Sequence, residues 1–143
     1  MSRFEGAVAA ARTTGDYDLL LTELPYTRFI GMHAQLVGDT VRLRLPFEPL
    51  LVGNVKLSAL HGGVVGACLE SVATLQLIHQ NGLPLPKTID FTVDYLRLAL
   101  GEELYAEAEV QRLGRRVANV RMRAYQKSQS EPVALARGNF LLE

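Results

Sequence analysis

The sequence predicts an α+β fold in which one long helix is enclosed by an antiparallel sheet of five or six strands. The stretch from Leu57 to Pro86 is almost wholly apolar and long enough to contain that helix. Apolar and polar residues alternate on both sides of it, which predicts two strands before the helix and four after it. Because such a helix is apolar nearly all round, it must be covered on several sides, and a curved sheet can provide this cover.

Length and composition bound the class of protein. The chain has 143 residues, 48% of them hydrophobic, and we expect one domain over residues 1–143, with residues 1–27 as a helical extension within it. Fifteen basic and fifteen acidic residues give zero net charge, which favours neither nucleic acid nor a membrane as a partner. The single cysteine, Cys68, excludes an intrachain disulfide. Together with an N-terminus that lacks a signal-peptide pattern, it favours a cytoplasmic location.

The residues before the long helix predict two short helices and a hairpin. Ser2–Arg12 has helical spacing, and a second helical fragment, Tyr17–Leu24, stops at Pro25. Strand periodicity then predicts Phe29–Leu36 and Thr40–Pro46 as a hairpin with one solvated face. We expect the segment that follows, which is interrupted by prolines and a glycine, to be a loop.

The long helix is predicted to run from about His61 to Gln80, and the Asn81-Gly82 pair ends it. Its carboxylate, histidine and glycines argue against a transmembrane span. Four strands in the spacing of a meander follow, with the last three at Leu104–Gln111, Ala118–Ala124 and Val133–Leu142. In the first of the four, strict alternation puts two sets on opposite faces: Ile89, Phe91, Val93 and Tyr95 on one, and Thr88, Asp90, Thr92 and Asp94 on the other.

Glu70 is the residue that most needs an explanation. Between Lys56 and Lys87 no other residue carries a formal charge, although charged residues make up 21% of the chain. An uncompensated buried carboxylate costs several kcal/mol. The sequence therefore predicts either a hidden partner for Glu70 or a functional use of its charge.

Three glycines cluster at the predicted start of the helix: Gly62, Gly63 and Gly66. A glycine costs roughly 1 kcal/mol in a helix interior relative to alanine, so the cluster needs a reason. One reason is close packing of the helix against a neighbour. The other is access of a ligand to the free N–H groups of Gly62 and Gly63, which could hold an oxyanion while Glu70 acts as base or nucleophile in acyl transfer.

The spacing between Gly63 and Glu70 limits how the two could act together. Seven residues of helix correspond to a rise of roughly 10 Å. A carbonyl oxygen bound at Gly63 therefore cannot have its carbon within reach of Glu70 on the same helix. If both groups act on one substrate they come from two copies of the chain, with the two helices antiparallel across a two-fold axis. The sequence thus predicts an obligate dimer if the site is catalytic.

Other polar residues are weaker candidates. Thr74 could hydrogen-bond the Glu70 carboxylate or orient a water, or its hydroxyl could donate to the carbonyl one turn back. His61 is expected to order the glycine pair, with general-base action a less favoured role. His33 and His79 lack partners at metal-ligand spacing, so no metal site is predicted. Three arginines could meet phosphate groups or could line a solvated sheet edge: Arg97, Arg115 and Arg116.

Several short motifs occur in a fixed order from about Arg28 to the C-terminus: His61-Gly62-Gly63, Glu70 nine residues after the histidine, Val93–Arg97, Gly101, Gly114–Ala118 and Ala134–Phe140. In this order and spacing the sequence resembles the hotdog-fold acyl-CoA thioesterases, in the branch that contains the phenylacetate-degradation and 4-hydroxybenzoyl-CoA thioesterases. The resemblance implies an antiparallel sheet wrapped around the long helix. It also implies a homodimer with a continuous double-length sheet, often paired into homotetramers, and active sites at the subunit interface.

The resemblance also implies roles for individual residues. The Gly63 N–H would polarise the thioester carbonyl, and Glu70 of the other subunit would attack it or activate water. Thr74 and Thr88 match family residues that orient water or carboxylate, and Asn54 is similar to a family asparagine that stands one residue closer to the histidine. Coenzyme A would enter as part of the substrate, and no metal or redox cofactor is implied. The residues in contact with coenzyme A would be Gly62, Arg97, Arg115 and Arg116.

The leading functional hypothesis is an acyl-CoA thioesterase that hydrolyses an aryl- or medium-chain acyl-CoA to the free acid and CoA. The alternative is a non-catalytic hotdog protein that binds acyl-CoA as a sensor or carrier, with Glu70 in a structural role. A hydratase or dehydratase on the same fold is less favoured, because the chain lacks the pairing of catalytic residues usual in those enzymes.

Overall fold

A six-stranded antiparallel sheet wraps around one long helix in the computed structural model, which describes residues 1–143. The helices are α1 (Arg3–Thr14), α2 (Asp18–Leu21), α3 (Pro25–Ile30) and α4 (Gly62–Asn81). The strands of the main sheet are β1 (His33–Val37), β2 (Thr40–Leu45), β5 (Lys87–Tyr95), β6 (Leu104–Leu113), β7 (Val117–Tyr125) and β8 (Ala134–Leu141). Strands β3 (Val52–Asn54) and β4 (Ala59–Leu60) form a separate pair. The predicted helix enclosed by five or six strands is confirmed.

Helix α4 is the core helix, and its bounds agree with the prediction to within one residue. Its buried side chains face the sheet and include Leu69, Val72, Leu75 and Ile78. By length and hydropathy alone this helix could cross a membrane, but most of it is buried inside the chain's own fold. One face remains partly exposed, because no part of the chain covers it fully. This face is described with the candidate site below.

The predicted start of the first strand is wrong. Residues from Pro25 to Ile30 form helix α3, and β1 begins only at His33. Proline fits the first turn of a helix, where its missing N–H has no intrahelical partner to lose. Gly31 ends the helix with a φ of 93°, a conformation that L-residues with side chains rarely adopt. The proline at the junction therefore marks a helix start as well as the end of the preceding fragment.

The segment between β2 and α4 was expected to be a loop, but it contains a short 3₁₀ helix (Pro49–Leu51) and the β3–β4 pair. This small sheet holds the start of α4 in place. The His61 N–H donates to Leu51 O at 2.8 Å. A Cβ at Gly53 would lie only 2.7 Å from His61 Cα, so the two backbones pack in direct contact. The expected loop is therefore an ordered support for His61.

The order of strands in the sheet is β1-β2-β6-β7-β8-β5. Strands β6, β7 and β8 form the predicted meander, but β5 lies beside β8 at the far edge and not beside β6. Periodicity specifies which face each residue takes and leaves the neighbouring strand undetermined. The connection from β5 to β6 is long enough to cross the end of the sheet, and this places β5 at the edge.

A β-bulge near the start of β5 changes the predicted alternation of its side chains. Thr88 pairs with Phe140, whereas Asp90 pairs with Asn139, so Ile89 is an extra residue in the ladder. Phe140 is fully buried on the helix side of the sheet, and Thr88 is therefore on the same side as Phe91 and not opposite to it. The strict alternation predicted for Thr88 is wrong. The Asp90 carboxylate stabilises the bulge by accepting from the Asn139 backbone N–H at 3.2 Å.

Candidate active site

The candidate site lies along the partly exposed face of α4, which we call the open face and define by Gly62, Gly63, Ala67, Glu70 and Thr74. Small residues near its N-terminal end leave the helix backbone accessible. Strand β5 crosses this face and brings two side chains to it, one near Glu70 and one at the N-terminal turn. The open face therefore leaves Glu70 and the exposed glycines of the first turn where a ligand can reach them.

Glu70 is half-buried, and its partner is a neutral hydroxyl. Thr88 Oγ1 donates to Glu70 Oε2 at 2.6 Å. The salt bridges of the chain do not include Glu70. One neutral donor satisfies only part of what a carboxylate can accept. The carboxylate is thus oriented but not neutralised, which leaves it able to act as a base or a nucleophile.

The bulge in β5 is what brings Thr88 to Glu70. Without the extra residue at Ile89, the alternation of the strand would turn the Thr88 side chain to the outer face of the sheet. Thr74 does not reach the carboxylate. Its hydroxyl donates to the backbone carbonyl of Glu70 at 3.2 Å, which is the second of the two arrangements considered for it.

The N-terminus of α4 is capped by the side chain of His61. His61 Nδ1 accepts from the Gly63 N–H at 2.8 Å, which requires that this nitrogen carry no proton. The N–H groups of Val64 and Val65 both donate to His61 O. The Gly62 N–H has no hydrogen-bond partner within the chain. The first turn therefore has one N–H without a partner, at Gly62, and one N–H whose acceptor is the His61 side chain, at Gly63.

Tyr95 belongs to this site, although the sequence analysis did not place it among the site residues. Its hydroxyl donates to Gly62 O at 2.7 Å. Its ring lies across the glycines, and a Cβ at Gly62 or Gly66 would come within 3.5 Å of it. Two features of the sequence could have indicated this role: Tyr95 belongs to the same alternating set as the apolar residues of β5, and it lies within the Val93–Arg97 motif.

Asn54 is exposed and serves a local turn, with Oδ1 accepting from the Leu57 N–H at 3.2 Å. It makes no hydrogen bond to Gly63 or Glu70. In a single chain, the structure does not bring Asn54 together with the rest of the candidate site.

The three arginines considered for phosphate binding lie at opposite ends of the sheet. Arg97 follows the end of β5 and donates to Pro132 O at 2.8 Å. Arg115 and Arg116 form the β6–β7 turn, beside the start of β5, and Arg116 is paired with Glu143 at 2.6 Å. The length of β5 separates the two groups by roughly 26 Å. A single chain therefore cannot present all three arginines to one phosphate group.

Cys68 is not a candidate nucleophile. It is fully buried, and burial raises the pKa of its thiol to about 12. The reactive thiolate is therefore essentially absent at neutral pH, and Cys68 packs as a small apolar residue.

A groove also lies on the outer face of the sheet. Its volume is about 670 Å³, and its lining includes Glu107, Glu109, Arg121, Arg123 and Arg137. These side chains face away from α4, so the groove does not contain the Glu70–Thr88 pair. We assign the candidate site to the open face because Glu70 lies there without a salt bridge, on the face that also carries the first-turn N–H groups of the helix, whereas Glu107 in the outer groove is paired with Arg42.

Comparison with known proteins identifies the class. Residues 57–133 match the thioesterase superfamily, and the chain belongs to that family. Its fold is the hotdog fold of these proteins, and the class of enzyme is thioester hydrolase.

Individual relatives support this assignment. The chain is similar to the medium/long-chain acyl-CoA thioesterase YigI of Escherichia coli K12, with 29% identity over 90% of this chain and 92% of YigI. A crystal structure of a Chromobacterium violaceum protein is 36% identical, with a TM-score of 0.77, over 95% of this chain and 96% of that one. The phenylacetic acid degradation protein PaaI of Thermus thermophilus has a TM-score of 0.71 at 20% identity, over 83% of this chain and 99% of its own, and shows the shared fold.

Proposed function

We propose that the protein hydrolyses the thioester of a medium- or long-chain acyl-CoA, with Glu70 as the base or nucleophile. The observation that carries the proposal is the position of Glu70 on the open face of α4, oriented by Thr88 and free of any salt bridge. The superfamily supplies the reaction class. The name of the Escherichia coli relative supports the acyl chain length.

Hydrolysis adds water across the C–S bond of the thioester. If Glu70 is a general base, it takes a proton from water, the hydroxide adds to the carbonyl carbon, and the C–S bond breaks to release CoA thiolate, which gains the proton. If Glu70 is the nucleophile, its oxygen displaces the thiolate to form a mixed anhydride, which water then hydrolyses. In both cases the Thr88 hydroxyl fixes the position of the carboxylate.

The negative charge that develops on the carbonyl oxygen needs donors. We assign this role to the Gly63 N–H, with the unpartnered Gly62 N–H beside it. The substrate oxygen would take the place of His61 Nδ1, so the Gly63 N–H exchanges one acceptor for another. In the absence of substrate, His61 thereby accepts the hydrogen bond of this donor.

Glu70 and Gly63 can serve one substrate only if two chains combine. The outer edge of β5 has no partner strand, and all but two of its nine residues are exposed. We propose that two copies pair antiparallel along this edge. Antiparallel pairing sets the Thr88 end of one β5 beside the Tyr95 end of the other, and so directs Glu70 of one chain towards Gly63 of its partner.

The same pairing bears on the arginines. It would bring Arg97 of one copy towards Arg115 and Arg116 of the other, because these residues lie near opposite ends of β5. We propose these side chains as contacts for the phosphate groups of coenzyme A.

The test is thiol release from a panel of lauroyl-, palmitoyl- and phenylacetyl-CoA. For Glu70→Gln we expect kcat to fall on the order of 10³-fold on the best substrate, because the amide can neither accept the proton nor attack. Glu109→Gln, which changes an exposed carboxylate on the outer face, is the matched control and should retain wild-type activity. Full activity of Glu70→Gln would contradict the mechanism. Tight binding of all three thioesters by the wild type without turnover would favour the sensor or carrier alternative.

A further inference from the structure

The peptide group between Gly62 and Gly63 is hydrogen-bonded at both of its polar atoms. Its carbonyl oxygen accepts from the Tyr95 hydroxyl at 2.7 Å. Its N–H donates to His61 Nδ1 at 2.8 Å. The donor proposed for the oxyanion and the acceptor of the Tyr95 hydrogen bond therefore belong to one amide plane.

This peptide is the least constrained in the first turn of α4. It lies between two glycines, which allow backbone rotations that a side chain would exclude. The first N–H groups of a helix also have no intrahelical acceptor to fix their direction. Two side-chain contacts therefore orient this peptide, His61 at its N–H and Tyr95 at its carbonyl, and only the Tyr95 contact would remain when a substrate oxygen replaces His61 Nδ1.

Burial does not explain the position of Tyr95. The residue is 55% exposed, so its hydroxyl could be solvated without cost. The ring instead lies against Gly62 and Gly66, at the distance of ordinary contact from where a Cβ would stand. The glycines thus let a strand side chain approach the backbone of the first turn.

We propose that Tyr95 is a positioning residue for the oxyanion donor. By donating to Gly62 O it fixes the plane of the Gly62–Gly63 peptide and so aims the Gly63 N–H. A hydrogen bond to an amide oxygen also increases the double-bond character of its C–N bond, which makes the N–H a stronger donor. This inference rests on the proposed function, in which that N–H faces the developing oxyanion.

A donor of this kind acts on the transition state more than on the bound substrate, since charge on the oxygen develops only during the reaction. Removal of a whole oxyanion donor typically costs 10²- to 10³-fold in kcat, so loss of its support should cost less, about tenfold. The expected signature is a fall in kcat with little change in KM.

The experiment compares Tyr95→Phe with Tyr105→Phe. Tyr105 is the matched control, because its hydroxyl also donates a hydrogen bond, to Glu103 at 2.6 Å, and its side chain lies on the face of the sheet opposite α4. With lauroyl-CoA we expect Tyr95→Phe to lower kcat about tenfold and to change KM less than twofold, and Tyr105→Phe to change neither. In ¹⁵N-glycine-labelled protein without substrate, the Gly63 amide proton should shift in Tyr95→Phe and not in Tyr105→Phe.

Unchanged kcat in Tyr95→Phe, together with an unshifted Gly63 amide, would overturn the inference. A rise in KM at constant kcat would also overturn it, because Tyr95 would then contact the substrate directly. If the wild type hydrolyses no acyl-CoA, the proposed function fails. The amide shift still decides whether Tyr95 controls the Gly63 N–H, so the two failures can be told apart.

Discussion

The two edges of the main sheet differ in whether other residues of the chain hydrogen-bond to them. At the β1 edge, the residues that link α1 and α2 pair with the strand. The Leu36 N–H donates to Gly15 O at 2.8 Å, and the Tyr17 N–H donates to Ala34 O at 3.1 Å. At the β5 edge, nine residues have a partner strand on one side only. One edge is covered by the chain itself, and the other has no partner within the chain.

This difference bears on where the proposed dimer would complete the site. A long, exposed edge strand is a template for pairing with another chain, and proteins usually block such edges. Strand β5 is not blocked, and it is also the strand that supplies Thr88 and Tyr95 to the open face of α4. The unpaired edge and the candidate site therefore belong to one strand, which supports their common use in a dimer.

The largest expected effect comes from blocking the β5 edge. Lysines introduced together as Ile89→Lys and Thr92→Lys would place two positive charges along the unpaired edge of each copy and so oppose its pairing with another strand. We expect a monomer by analytical ultracentrifugation and a loss of activity on the order of 10²-fold or more, because Gly63 and Glu70 would no longer meet. Gln35→Lys, on the covered β1 edge, is the control and should change neither property. A fully active monomer would contradict the shared site.

A smaller effect is expected at the contact that β5 makes with Glu70. Thr88→Val keeps the shape of the side chain and removes the hydroxyl that donates to Glu70 Oε2. We expect kcat to fall about tenfold with the dimer intact, since the carboxylate keeps its charge and loses its orientation. Thr92→Val, on the same strand but facing the outer side, should have wild-type kinetics. Equal activity of the two variants would remove Thr88 from the mechanism.

The smallest effect on activity is expected at the β1 edge, where the change should affect stability alone. Asp18 Oδ1 accepts from the Ala34 N–H at 2.8 Å, and Asp18→Ala leaves that partly buried donor without its acceptor. We expect a loss of about 1–2 kcal/mol in the free energy of unfolding. The melting temperature should fall by roughly 3–8 °C, measured at one fixed protein concentration, with kcat unchanged. A clear drop in kcat at full dimer content would show that the β1 edge also supports the site.

The features that depend on local periodicity were predictable from the sequence. The bounds of α4 follow from its apolar run and from the glycine that ends it, and each strand of the main sheet after it was located to within a few residues. The isolation of Glu70 and the cluster of glycines at the start of α4 indicated candidate site residues, and Gly62, Gly63 and Glu70 lie on the open face. The length of helix between Gly63 and Glu70 alone predicts a second chain, on the condition that both groups act on one substrate.

The features that depend on register or on distant partners were not predictable. The bulge at Ile89 reverses the side on which Thr88 lies, and it is stabilised by Asp90 and Asn139, which are far apart in sequence. The position of β5 beside β8 follows from a crossing connection, which alternation does not encode. The Tyr95 contact with Gly62 requires both the strand order and the helix position. Each of these is a long-range contact, which one-dimensional patterns leave open.

The central claim, that Glu70 and Gly63 act on one substrate from different chains, is tested most directly by complementation. Gly63→Pro removes the donor N–H in the first turn of α4, where that N–H has no backbone acceptor to lose, and Glu70→Gln removes the base. A Cβ at Gly63 would lie 2.9 Å from His61 Nδ1, so the His61 side chain must move in this variant. Each variant alone should be inactive. In a mixed dimer of the two, one site has both defects and the other has neither.

After unfolding and refolding of an equal mixture, half of the dimers should be mixed and each should have one intact site, so we predict about one quarter of wild-type activity. If both groups acted within a single chain, every chain in the mixture would carry a defect. Activity no higher than that of the separate variants, with mixed dimers present, would contradict the shared site.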